Sequence, residues 1–118
     1  MSEEITIEQG KSFQRELKKL VKKYPSLPQD LEVLESLIKK FPLGEDSKHC
    51  NALKQEGDQG IYKRRLMCRS VKSSEFRVIY YYNGTTLVLE YLEIYYKGNK
   101  ENEDKKRVET IWEERVKS

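Results

Sequence analysis

Lys63, Arg65 and Arg77 are the residues whose type and spacing are best suited to handling a phosphate. Lys63, Arg65 and Met67 alternate along one run, and Glu75, Arg77, Ile79 and Tyr81 alternate along the next. In an extended chain, residues two apart share a face, so pairing the two runs would line one side with cations. Seven of the eight tyrosines (Tyr62, Tyr80, Tyr81, Tyr82, Tyr91, Tyr95 and Tyr96) fall in these runs and the one that follows. Cations hold phosphates and flat aromatic faces stack on unpaired bases, which is the combination that single-stranded nucleic acid requires. The same pattern also suits a wet sheet face that carries Lys, Arg and Tyr for solubility and cross-strand packing alone, so the pattern leaves both readings open.

Charge distribution favours the first reading over a uniformly solvated surface. The whole chain is only +3, yet between Ile61 and Tyr82 six basic residues (Lys63, Arg64, Arg65, Arg69, Lys72 and Arg77) face a single acid, Glu75, and the remainder is net acidic. Arg64 is out of pattern, since it falls among Tyr62, Leu66 and Cys68, where an inward apolar residue is expected. Either the strand bulges there or Arg64 snorkels to an edge. The lysines of the first helical stretch, Lys11, Lys18, Lys19, Lys22 and Lys23, read as a solvated face that could extend an RNA footprint.

Other chemistries lack partners. His49, beside Cys50 in a polar stretch, is the sole imidazole of the chain, and it reads as a surface residue rather than a metal ligand or general base. The serines have no His partner for a triad. Cys50 and Cys68 have no metal-ligand spacing and are too few to staple a lean secreted domain, so they read as reduced and structural. No cofactor or metal is implied. With no signal-like or membrane-length apolar run, the expected location is the cytoplasm.

The elements that must position these residues follow from periodicity. At 118 residues, with 36% hydrophobic and 36% charged residues, the chain suits one domain, residues 1–118, with a lean, aromatic-rich core. Ile5-Thr6-Ile7 alternates as a short opening strand. Phe13, Leu17, Leu20, Val21 and Tyr24 recur at helical spacing up to Pro25. Ser26 and Gln29 have the form of a capping box, opening a second helix with Leu27, Leu31, Leu34, Ile38 and Phe41 as its buried stripe, which Pro42 and Gly44 close. Residues 44–60 read as a loop. Ile61 to Cys68, Glu75 to Tyr82 and Thr86 to Tyr95 read as strands, the last two joined by an Asn83-Gly84 hairpin. Val108, Ile111, Trp112 and Val116 predict a terminal helix docked by Trp112. The order β-α-α-β-β-β-α describes an α+β domain with helices packed on one face of a small, mostly antiparallel sheet.

The runs Ile61-Tyr62-Lys63-Arg64-Arg65-Leu66, Phe76-Arg77-Val78-Ile79-Tyr80 and Ile94-Tyr95-Tyr96-Lys97 resemble the three core strands of RelE/ParE-superfamily toxins. The helical hairpin beginning Ser12-Phe13-Gln14-Arg15-Glu16-Leu17 is similar too, so the resemblance spans residues 5 to 112. It implies a bacterial type II toxin restrained by an antitoxin protein, which in the RelE branch cleaves messenger RNA in the ribosomal A site. There a ribose 2′-hydroxyl attacks the adjacent phosphate, a reaction needing a base, cations and an acid but no metal.

By position the resemblance implies Lys63, Arg65 and Arg77 as catalytic, with Lys63 a base if neighbouring cations lower its pKa. The family arginine after the last strand falls on Gly98, and the family's closing tyrosine has no match among residues 101–106. Lys97 and Lys100 are the cations available to replace the missing charge. Tyr95 or Tyr96 can supply stacking or the acid, provided that it shares the cations' face, and Tyr81 joins them as a substrate-binding expectation. A ParE-like gyrase inhibitor and a noncatalytic RNA- or antitoxin-binding relative are the alternatives.

Overall fold

In a computed structural model that describes residues 4–117, the elements are β1 (Thr6–Gln9), α1 (Lys11–Val21), α2 (Leu27–Lys40), β2 (Cys50–Glu56), β3 (Gln59–Cys68), β4 (Ser73–Asn83), β5 (Val88–Tyr96) and α3 (Lys105–Trp112), which continues as a π-helical turn over Glu113–Lys117. The strands form one sheet in the order β1-β5-β4-β3-β2. Only β1 pairs in parallel, with β5; the other three ladders are antiparallel. The α+β architecture expected from the pattern is therefore present.

The helices do not share one face. α1 and α2 bury Phe13, Leu27, Leu31, Leu34 and Ile38 against Tyr62, Leu66, Phe76, Val78, Tyr80, Leu89, Tyr91 and Ile94. The alternate strand residues Ile61, Ile79, Tyr81, Leu92 and Tyr95 take Val108 and Trp112 of α3 on the opposite face. Trp112 is the anchor its spacing predicted, but α3 needed a second apolar surface, which only one end of the opposite face offers. No helix among the described residues is long and apolar enough to cross a membrane.

The stretch expected to be a loop contains β2. Its seven residues are largely exposed, because an edge strand with polar side chains on both faces has no alternation to read. Glu56 pairs with Gln59, so Gly57 and Asp58 make a two-residue turn with Gly57 at φ 57°, the positive φ that a type II′ hairpin requires at its first central position. The Asn83-Gly84 hairpin also forms, by a different turn. Asn83 Oδ1 accepts from the amides of Thr85 and Thr86, and it is Leu87, at φ 57°, that takes the left-handed conformation.

Ser26 makes no side-chain cap on α2. Its hydroxyl donates instead to Asp30 Oδ2 (2.6 Å) and accepts from the Ser70 amide (2.8 Å), while Gln29 Oε1 accepts from Arg69 Nη2 at 3.4 Å. Asp30 also accepts from the Arg69 amide and Nε, at 3.1 and 2.7 Å. The capping-box residues thus fasten α2 to the β3–β4 turn. Burial pushes the Asp30 carboxyl up, but the bonds from Ser26 and Arg69 outweigh it and hold the group below the usual range. A depressed folded-state pKa gives stability that is complete above the unfolded value of about 3.9 and lost as pH falls through the folded one. We expect Asp30→Asn to flatten the fall in urea midpoint below about pH 4; an unchanged acid slope in the variant would assign that loss elsewhere.

Arg64 points inward in an unbroken register between Tyr62 and Leu66, so the strand is not bulged there. It is only 2% exposed, and it reaches past the end of α2 to pair with Asp46 and to donate to the Phe41 carbonyl at 3.3 Å. Phe41, expected in the buried stripe of α2, is exposed, as are Val33 and Leu37.

Candidate nucleic-acid interface

Three strands bring the predicted residues into one row. Arg65 pairs with Arg77 across β3 and β4, and Arg77 with Tyr95 across β4 and β5. Directly opposed side chains lie about 5 Å apart at Cβ, so two guanidinium groups and a phenol share one patch. In the next row Lys63, Ile79 and Glu93 are aligned. A bulge in β5 opposite the Ile79–Tyr80 step turns Leu92 and Glu93 to the same face, and that re-aiming puts the fully buried Glu93 carboxylate beneath the patch.

Electrostatics separate these cations. Lys63 donates to Glu103 Oε1 at 2.8 Å. Burial raises the Glu103 carboxyl, yet the Lys63 bond and charge prevail and hold it below its ordinary value. Lys63 is therefore bonded to an acid, whereas the base role expected of it relied on neighbouring cations. Lys100 pairs with Glu93 and stands over the Tyr95 ring, 5.3 Å from its centroid. Glu93 also accepts from the Asp104 amide at 2.8 Å, which ties the segment before α3 to the sheet.

Arg65 and Arg77 are different: among the described residues neither is paired with a carboxylate, whereas Lys54, Lys63, Arg64, Arg69, Lys100, Arg107 and Arg115 all are. Arg77 Nη1 donates to the carbonyls of Ser74 (2.8 Å) and Phe76 (2.9 Å). Arg65 Nη1 lies 3.2 Å from His49 Nε2, and its buried Nε has no partner among the described residues. Two adjacent, half-buried guanidinium groups that make no ion pair have the chemistry to hold an anion.

The tyrosines are mostly spent on packing. Tyr62, Tyr80, Tyr82 and Tyr91 lie in the core beneath α1 and α2, with Tyr62 and Tyr80 stacked at 5.4 Å. Tyr81 is buried under α3 and donates to Gln59. Tyr96 turns to the helical side against Tyr24 and Phe76. Neither Tyr81 nor Tyr96 is presented where the cations are. Tyr95 is in line with them but is itself buried against α3; burial, followed by the charges of Glu103 and Glu93, pushes its phenol up to about 12, so it stays protonated at neutral pH. Lys97 is exposed at the end of β5. A Cβ at Gly98 would come within 2.3 Å of the Tyr96 ring, so any larger residue there requires that ring to swing away.

No protein-family profile and no curated protein matches the sequence. Among solved structures, the chain is similar to a component of the archaeal RelE–RelB complex from Pyrococcus horikoshii, with a TM-score of 0.59, 20% identity, and coverage of 80% of this chain and 96% of that one. The chain has a RelE-like fold. At this identity the likeness covers the path of the backbone, and the residue-level site rests on the register described above. His49 is the residue of this patch that sequence reasoning passed over; it is remote from Arg65 in the chain, and its position follows only from the pairing of β2 with β3.

Proposed function

We propose that this RelE-like chain, as one domain over residues 1–118, is the toxin of a type II toxin–antitoxin pair. It acts in the cytoplasm as a metal-independent messenger-RNA endoribonuclease, by attack of a 2′-hydroxyl on the neighbouring phosphate. The observation that carries the reading is the adjacent, carboxylate-free pair Arg65 and Arg77 in line with Tyr95. Two guanidinium groups stabilise the charge that builds on the phosphoryl oxygens, and a protonated phenol beside them can donate to an oxygen of the reacting group. Lys63 and Lys100, held by Glu103 and Glu93, and exposed Lys97 add positive potential around the phosphate path.

The partner reading has its own support. Val33, Leu37 and Phe41 recur every fourth residue as an exposed apolar stripe on α2. Val33, Leu37 and exposed Met67 border a cavity of about 510 Å³ that extends to Arg65 and His49. An antitoxin segment covering this stripe would reach the anion site, and the P. horikoshii chain was solved with its RelB. Apolar stripes of this kind on an otherwise polar helix mark protein contacts.

The test is induced expression of the wild-type chain, following growth and mapping the 5′ ends of cellular messages. Arrest with new 5′ ends is expected. Arrest with intact messages and lost DNA supercoiling would transfer the protein to the gyrase-inhibiting branch, and neither effect would leave a noncatalytic binder. For the partner, a coexpressed antitoxin should suppress arrest, and Leu37→Asp in the toxin should restore it; suppression unaffected by Leu37→Asp would place the antitoxin elsewhere.

A further inference from the structure

The ribonuclease reading leaves the base unassigned once Lys63 is seen to donate to Glu103. A base for the 2′-hydroxyl needs a lone pair at neutral pH within reach of the phosphate clamp. His49 precedes the first residue of β2, and the Arg65 amide donates to its carbonyl at 3.2 Å, which places the imidazole beside the Arg65 side chain. An arginine N–H can only donate, so the 3.2 Å contact from Arg65 Nη1 makes Nε2 the unprotonated nitrogen and leaves the ring proton on Nδ1.

Resting on the ribonuclease reading, we propose that His49 is the general base of the cleavage reaction. In the free protein Arg65 Nη1 occupies the Nε2 lone pair. When Arg65 turns to a phosphoryl oxygen, Nε2 is released beside the bound phosphate. It then takes the 2′-hydroxyl proton as O2′ bonds to phosphorus. The P–O5′ bond breaks, its electron pair leaves on O5′, and O5′ takes a proton from water. The products are a 2′,3′-cyclic phosphate and a 5′-hydroxyl, and the imidazolium returns its proton to the hydroxide so formed.

The surroundings keep this imidazole neutral. Partial desolvation, followed by the charges of Arg65 on β3, Lys48 on its own loop and Arg77 on β4, holds His49 below the ordinary imidazole range. The acids that line the adjoining cavity do not oppose this, because Asp30 of α2 is tied to Arg69 and Asp46 to Arg64. A cationic His49 would be one more phosphate ligand; a neutral one has the lone pair that the clamp lacks.

The experiment uses ribosomes programmed with a defined message, and the same message free, under single-turnover conditions between about pH 5.5 and 8, the span in which an imidazole titrates. For the wild type the rate should fall on acidification with a single limb below about 6.5. His49→Gln should cut about 100- to 1,000-fold more slowly and lose that limb. Its binding to a message carrying one 2′-deoxynucleotide at the cut site should stay within about twofold of wild type, because binding does not use the base.

If the wild type cuts and His49→Gln cuts equally with the same limb, the assignment to His49 is overturned while the ribonuclease reading survives. If His49→Gln loses deoxy-message binding along with cutting, His49 is a phosphate ligand or a structural residue and the assignment is likewise overturned. If the wild type leaves both messages whole at every pH, the ribonuclease reading falls and takes the base with it. Should His49→Gln melt early, the wild-type imidazole decides by proton NMR. A midpoint coinciding with the rate limb supports the proposal, and one displaced from it overturns it.

Discussion

Arg77→Ala is expected to lower message cleavage by about 100- to 1,000-fold, the usual cost of removing one preorganised donor from developing negative charge, and to release cells from growth arrest. Arg77 has a larger effect than the cations around it because no carboxylate already neutralises it and because Arg65 is its direct cross-strand neighbour. Its fork is aimed by bonds to the Ser74 and Phe76 carbonyls, both of which lie near the open end of the sheet. Losing those two bonds should cost about 1–3 kcal/mol in stability, so a thermal melt alongside the assay separates loss of activity from loss of fold. Arg77→Lys should recover little, since an ammonium cannot reproduce the planar fork. Arg65→Ala should fall as far as Arg77→Ala, and the double variant little further, because the two act on one phosphate. The measurement is single-turnover cleavage alongside a thermal melt; cutting by Arg77→Ala at the wild-type rate would remove the arginine pair from the mechanism.

Asp46→Ala should destabilise the protein by about 3–5 kcal/mol, the range for leaving a buried cation unpaired. Arg64 is 2% exposed, with tyrosine and leucine neighbours along its strand, and Asp46 is its carboxylate partner. The Phe41 carbonyl at 3.3 Å is a weak substitute for a charge. In a domain of this size the melting temperature should fall on the order of 10–20 °C. Replacing both members, Arg64→Met with Asp46→Ala, should recover most of the loss, since the cost comes from the orphaned charge and not from missing volume. Urea titrations of the two variants check this, and a single variant within about 1 kcal/mol of wild type would show that Arg64 finds another way to solvent.

Much of this protein was legible in its chain because local periodicity reports local burial. Phe13 and Leu17, then Leu31, Leu34 and Ile38, declare helices whose stripes are buried. Alternation in Ile61 to Leu66 and in Phe76 to Tyr80 declares strands, and it correctly put Lys63 and Arg65 on one face with Arg77. Trp112, the sole tryptophan, marked the terminal helix and its anchor. Where the readings failed, something distant competed with the local signal. Ser26 and Gln29 have the spacing of a capping box, but Ser70, Arg69 and Asp30 offered better partners. Asn83-Gly84 announced its hairpin, and the Asn83 side chain chose a longer turn. β2 was hidden because an edge strand is wet on both faces, and the tyrosines looked like a stacking platform because composition does not distinguish a buried ring from an offered one.

By itself the sequence determined the order of the elements other than β2, the two amphipathic helices, the cationic face of the central strands and the depletion of acids along them, since each follows from spacings of a few residues. Only the tertiary structure decided which cations are free. Ion pairing joins residues from 7 to 40 positions apart, so Lys63 is answered by Glu103, Arg64 by Asp46 and Lys100 by Glu93, while Arg65 and Arg77 are left facing each other. The β5 bulge that aims Glu93, the turn at Gly57 that folds β2 back on β3, and hence the meeting of His49 with Arg65 depend on the register between strands, which no local pattern of side chains carries.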